Sequence, residues 1–151
     1  MTSDLASVLP SLLPAAIAWV ERQEVEIIAL GAPLTESELS DARSVGVAYP
    51  EKVRVMFVDL LPLPDDLQLR QVALNAGLLG PGMIGLTLGY GIYIRNGYNS
   101  RQLLTHECRH VYQYEQAGSI ASYIPRYLQQ VAEVGYAEAP YEKDARAHEI
   151  K

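Results

Sequence analysis

Apolar residues at Leu13, Ile17, Val20, Ile27 and Ile28 recur at roughly helical spacing, with Glu21, Arg22 and Glu24 between them, and predict a first helix over Leu12 to Leu30. Gly31 and Pro33 stop it. Thr35 followed by Glu38 has the form of a capping box, which predicts a short second helix ending near Gly46 and closed off by Pro50. The period then changes. Lys52 to Asp59 reads KVRVMFVD, a β-branched and apolar run that predicts a strand, and the prolines between Leu60 and Asp66 end it. A helix over Leu67 to Ala76 is expected next.

Gly77, Gly80, Gly82, Gly85, Gly89 and Gly91 are interleaved with Leu, Ile and Thr, a mixture that predicts strands joined by tight turns. Gly91 to Arg95, GIYIR, is a short strand, and Asn96-Gly97 is a turn pair. Asn99 or Ser100 can then cap a helix. With Asn99 as the cap, Gln102 falls at the third helical position and can reach back, and the helix should run to Gly118. A further helix from Ser119 to about Gly135 is expected to bend or break at Pro125, with Ile124, Leu128, Val131 and Val134 on its apolar side. Pro140 is placed to open a last helix through Glu142 and Ala145 towards Ile150. Helices, then strands, then helices make an α+β fold, with helices around a short, mostly antiparallel sheet.

Composition narrows the function. At 151 residues the chain is expected to be a single domain, residues 1–151, and 49% hydrophobic with 20% charged residues is the make-up of a folded protein. The net charge of -6 argues against a nucleic-acid partner, since phosphate binding draws on an excess of Lys and Arg. The lone Cys108 cannot form an internal disulfide, so a reducing cytoplasm is the default location. The apolar run Leu9 to Val20 contains Pro10 and Pro14, has no basic residue before it and is too short to cross a bilayer. No membrane partner is expected.

The chemistry concentrates in His106-Glu107-Cys108-Arg109-His110, which fits HExxH on a helix and holds two of the chain's three histidines. Residues four apart project from nearly the same side, so both imidazoles can grip one ion, with Glu107 roughly 60° further round. Zinc suits such a set, because neutral imidazoles are good ligands and a site with three protein ligands keeps a position open. The ion would activate a water, and Glu107 would act as general base. Leu104, Cys108 and Val111 fall on a different side and form a core face, which makes Cys108 a small buried apolar residue, and Arg109 is expected to point to solvent.

A third ligand is needed. Gln116 stands where the longer zinc motif would have another histidine, so a carboxylate from a later helix is the expectation, with Glu133, Glu138 and Glu142 as candidates. HECRHVYQYEQAG, followed on the last helix by APYEKDA, resembles the gluzincin-type small metallopeptidase domains of the minigluzincin kind, over Ile92 to Ala147. The resemblance implies a zincin-like domain, one Zn2+ ion held by His106, His110 and Glu142, and Glu107 as the catalytic carboxylate. It also implies that the strand before the motif helix lines the cleft and takes substrate backbone, which makes Gly91, Ile92 and Tyr93 substrate-binding. Asp144 is either a solvated acid or a histidine's outer partner, and His148 a surface residue. Tyr112, Tyr114, Tyr136 and Tyr141 are expected to pack in the core or at the rim, with a hydroxyl aimed at an oxyanion as the alternative.

Three functional classes follow. The first is a zinc metallopeptidase acting on a peptide or protein substrate, a domain this small being suited to one exposed loop or one partner. The second is a pseudoenzyme or protein-binding module that keeps the ion. The third is a metal-free helical interaction domain. Glu107 separates the first two, because a purely structural zinc site has no need of a base.

Overall fold

The computed structural model describes residues 2–151, with side chains from Leu5 onward. Six helices surround one open four-stranded sheet, an α+β arrangement. The first helix, α1 (Thr2–Leu30), is longer than the periodicity predicts. Pro10 and Pro14 sit inside it without ending it, because both are exposed and the carbonyls they leave unbonded remain on a hydrated side. Its buried residues are Leu5, Leu9, Leu12, Ala16, Trp19, Val20 and Ile27, packed on α5 and one face of the sheet, while Ile28, also part of the apolar spacing, is exposed.

This continuity corrects the reading of Leu9 to Val20 as too short to span. Leu5–Leu30 forms one stretch of 26 residues, long and apolar enough by length and composition to cross a membrane. One side of it is buried against α5 and the sheet, and Val25, Ile28 and Leu30 are exposed.

A two-residue strand β1 (Ala32–Pro33) follows, and then α2 (Glu36–Ser44) with the capping box of Thr35 and Glu38 in place. Pro50 does not merely close that unit but opens a turn of 3-10 helix, Pro50–Lys52. β2 (Arg54–Val58), α3 (Leu67–Asn75), β3 (Gly85–Leu88) and β4 (Gly91–Arg95) come next. The sheet order is β1-β2-β4-β3, antiparallel at both outer pairs and parallel between β2 and β4. β4 is therefore central. Tyr93 packs on the α1 side with Trp19 and Ile27, and Ile92 and Ile94 pack on the other side with Leu104, Cys108 and Val111.

The β3–β4 turn needs its glycine. Gly89 has φ +69, and a Cβ there would collide with the carboxylate of Glu24, which accepts a hydrogen bond from Tyr90 N–H at 2.9 Å. One acid on α1 thus pins the turn that sets the register of the edge strand.

The motif helix, α4 (Arg101–Ala117), ends at Gly118 in the left-handed conformation, φ 95, as its sequence predicts. Its cap is Ser100, whose hydroxyl accepts from Leu103 N–H; the alternative cap Asn99 is not used, and Gln102 instead donates to Glu149. α5 (Ile120–Val134) runs unbroken through Pro125, and buries Tyr123, Ile124, Val131 and Ala132, leaving Val134 exposed. α6 (Pro140–Ala147) starts at its proline.

Candidate metal centre

α4 lies against the sheet through Leu104, Cys108 and Val111, all buried, and this packing turns His106, Glu107 and His110 towards β3, α5 and α6. α6 carries Glu142 in its first turn, where the helix dipole favours an acid, and lays it across the two histidines. The His106 Nε2 to Glu142 Oε1 distance is 3.2 Å, and the His110 Nε2 to Glu142 Oε2 distance is also 3.2 Å. One ligand atom from each of these three side chains lies within 4.8 Å of the other two. Glu133 and Glu138 are elsewhere: both are exposed, the first bonded to Gln129 and the second paired with Lys143.

The outward nitrogens of the two rings are both occupied. His106 Nδ1 is 2.8 Å from Glu149 Oε2, and His110 Nδ1 is 2.7 Å from Gln113 Oε1. A carboxylate only accepts. The Gln113 amide is oriented as firmly, because its Nε2 donates to Tyr141 O and to Asp144 Oδ2, both at 2.9 Å, and Tyr123 OH donates to its Oε1. Each ring therefore carries a hydrogen on Nδ1. The Nε2 lone pairs then face the Glu142 oxygens, acceptor against acceptor, which requires either a second proton on the rings or a cation between them.

Two imidazole nitrogens and a carboxylate gathered this closely form a group of the kind that holds a metal ion. Without an ion, protons fill the gap: burial opposes charging His106, but Glu142, Glu107 and Glu149 overcome it and raise its pKa to about 9. His110 is shifted up in the same way, against burial and by Glu142. Glu142 is held well below the usual carboxylate range, since the two histidines and the Tyr127 hydroxyl outweigh its burial. Tyr127 OH donates to Glu142 Oε2 at 2.7 Å.

Glu107 is buried beside this cluster, at 4% exposure, and is positioned from β3. Thr87 Oγ1 lies 2.7 Å from Glu107 Oε1, to which it donates, and 3.0 Å from the Glu107 carbonyl. Oε2 rests against Gly85, where a Cβ would come within 3.0 Å of it. The close approach of helix and strand thus depends on a residue without a side chain.

Other expectations change. Arg109 does not point to solvent: it bonds Asp144 through two guanidinium nitrogens, donates to Val45 O at 2.8 Å and stacks on Tyr112. Asp144 is thereby an indirect partner of His110, acting through Gln113, and it also meets His148. Cys108 is buried, and burial pushes its thiol up to about 12. Tyr114 and Tyr141 belong to a stacked group with Tyr123 and Tyr127.

Gly91, Ile92 and Tyr93 are buried on the central strand, with both edges of β4 hydrogen-bonded to neighbours. A peptide cannot add to a strand whose edges are taken. The edge beside the site belongs to β3. Since Arg95 N–H bonds Ile84 O, the antiparallel alternation turns the main-chain groups of Gly85 and Thr87 away from β4, where the Thr87 carbonyl accepts from Tyr114 OH at 3.2 Å. A pocket opens there, lined by the three cluster residues, Glu107 and apolar side chains from α1, α3, β3 and α5.

Sequence reasoning missed Gln113, Glu149, Thr87 and Tyr127. Gln113 alone had a local signal, lying three residues after His110 on the same helix. Comparison with family models, curated proteins and solved structures finds no match to this chain.

Proposed function

We propose that this chain is a zinc-dependent peptide hydrolase, in which His106, His110 and Glu142 hold the ion and Glu107 is the general base. The observation that carries this reading is the pair of inward Nε2 atoms, each 3.2 Å from a Glu142 oxygen while its own Nδ1 is committed to an acceptor. A buried carboxylate poised beside the same pocket is what a hydrolytic site needs and a structural one does not.

A zinc ion bound there supplies Lewis acidity, polarising a peptide carbonyl and lowering the pKa of a water towards about 7. Glu107 handles the protons. Its Oε1 is occupied by the Thr87 hydroxyl, so Oε2 accepts the proton of the attacking water and later delivers it to the departing amine nitrogen. The new C–O bond forms first, and the amide C–N bond breaks once its nitrogen is protonated, giving an acid and an amine. Glu149 and Gln113 hold the two rings in the ligating tautomer. Substrate backbone meets the β3 edge at Gly85 instead of at Gly91, Ile92 and Tyr93. The protein works as a thiol-containing domain in a reducing cytoplasm.

Metal analysis of the wild type beside Glu142→Ala and Glu133→Ala, with a peptide library digested by wild type and Glu107→Gln, tests this. Stoichiometric zinc lost only in Glu142→Ala, with cleavage lost in Glu107→Gln, is expected. Zinc without cleavage of any peptide would make the chain a metal-holding binding module, and a wild type without metal would overturn both readings.

A further inference from the structure

We infer that Asp144 is a positioning residue for the metal centre: it decides which end of the Gln113 amide meets His110, and thereby which His110 nitrogen is left for the ion. This rests on the metal-holding part of the reading above. Gln113 is buried, at 3% exposure, on the same helix as His110. Two groups meet each end of its amide. His110 Nδ1 at 2.7 Å and Tyr123 OH at 3.0 Å stand at Oε1, while Tyr141 O and Asp144 Oδ2, both at 2.9 Å, stand at Nε2.

The oxygen and the NH2 of an amide are nearly alike in size, so a half-turn of the group exchanges them without disturbing the packing. The end at His110 tolerates that exchange. A turned amide donates to Nδ1 and to the Tyr123 oxygen, because both of those atoms can accept. His110 then carries its hydrogen on Nε2, which donates to Glu142 Oε2 across the 3.2 Å gap. The turned state thus removes the opposition of acceptors at this ring without any ion. It also closes the site to metal, since an Nε2 that bears a hydrogen has no lone pair to give.

The other end forbids the exchange. Turned, Oε1 would face the Tyr141 carbonyl and the Asp144 carboxylate, neither of which has a hydrogen to offer. The carboxylate is itself fixed, for Arg109 Nε donates to the same Oδ2 at 2.8 Å and a second guanidinium nitrogen reaches Oδ1. His106 needs no such arrangement, because its partner Glu149 has two accepting oxygens and presents the same chemistry whichever way it turns. Only the ring backed by an amide requires a residue that chooses the amide's direction.

The test measures zinc affinity on the full chain, by competition with a chromophoric chelator, in four proteins. Asp144→Asn can present its own NH2 to a turned Gln113, and should lower the affinity of the wild type about 10- to 100-fold. Gln113→Glu sets one carboxylate against another at Asp144 and should also bind zinc more weakly. Combining the two should reverse the sign. In the Gln113→Glu background, Asp144→Asn supplies a donor to a side chain that has no wrong end, and affinity should rise about tenfold above that of Gln113→Glu alone. The recovery is partial, because Tyr141 O still faces an oxygen. A residue that serves packing alone would lower affinity in both backgrounds, and that result overturns the inference while the metal centre stands. Should Asp144→Asn alone fail to fold, the double variant beside Gln113→Glu still decides, and no gain in affinity overturns the inference. A wild type that holds no zinc overturns the metal reading, and this inference with it.

Discussion

Glu149 accepts a hydrogen bond from Nδ1 of His106 at 2.8 Å, joining residues 43 positions apart. The contact is part of a short strap. Gln102 donates to the other oxygen of Glu149, and Ile150 N–H donates to Thr105 Oγ1, so the segment after α6 lies along α4 and fixes the carboxylate behind the ring.

Removing that carboxylate should weaken metal binding without removing a ligand. Glu149→Ala is expected to lower zinc affinity about 10- to 100-fold, measured by competition with a chromophoric chelator. Glu149→Gln keeps an accepting oxygen and should recover part of the loss. Equal zinc affinity in all three proteins would show that the contact does not orient the ring.

Gly85 offers a way to disturb Glu107 while leaving the ligands alone. A Cβ at this position would lie 3.0 Å from Glu107 Oε2 and 3.0 Å from Leu103 Cδ1. Gly85→Ala should push the base aside, lowering kcat by up to about a hundredfold while zinc stoichiometry stays that of wild type. An unchanged kcat would mean that Glu107 needs no such placement.

Arg109 ties three elements together, and a lysine cannot copy it. The guanidinium forms a two-nitrogen bond to Asp144 on α6, reaches Val45 O after α2 and stacks on Tyr112. Arg109→Lys is expected to cost about 1–2 kcal/mol, read from the shift in the urea midpoint. No shift would place the arginine among surface charges of little consequence.

Alkaline solution should destabilise the protein through its buried thiol and phenol groups. Burial raises the Cys108 thiol to about 12, and burial with Glu26 raises Tyr93 to about 12; Tyr90 and Tyr114 also move up, chiefly by burial. The folded chain therefore keeps protons that the unfolded chain gives up near its ordinary values of about 9 and 10. Stability is full below pH ~9 and falls as pH rises from there towards 12. Urea midpoints measured from pH 8 to 11 should decline steadily, and a flat series would contradict the buried placement of these groups.

Much of this fold is legible along the chain because its signals are local. The Thr35–Glu38 box, the Gly118 stop and the proline opening α6 each act within a turn of helix, and each predicted the observed boundary. α1 was harder to read, since prolines on a solvated side break a sequence pattern without breaking the helix. The convergence of His106 with His110 follows from helical repeat alone. That of Glu142 required knowing how α6 crosses α4, which spacing does not encode and which the resemblance supplied. Glu149 and Thr87 carried no signal, because their roles arise from chain segments meeting in space. Edge and centre of the sheet were likewise invisible: GIYIR reads as a strand either way, and only the parallel pairing with β2 puts it in the middle.

The metal cluster and its apolar chamber have different origins in the chain. His106, His110, Glu142 and the residues that orient them all come from positions 101–149, a stretch of helices in contact with one another. The chamber needs α1 from the opposite end, brought in through its long contact with α5. Assembly of the cluster is thus the shorter-range event in folding and enclosure the longer-range one, and the second carries the larger loop-closure entropy. Mutations that loosen α1 should open the chamber while His106, His110 and Glu142 stay gathered.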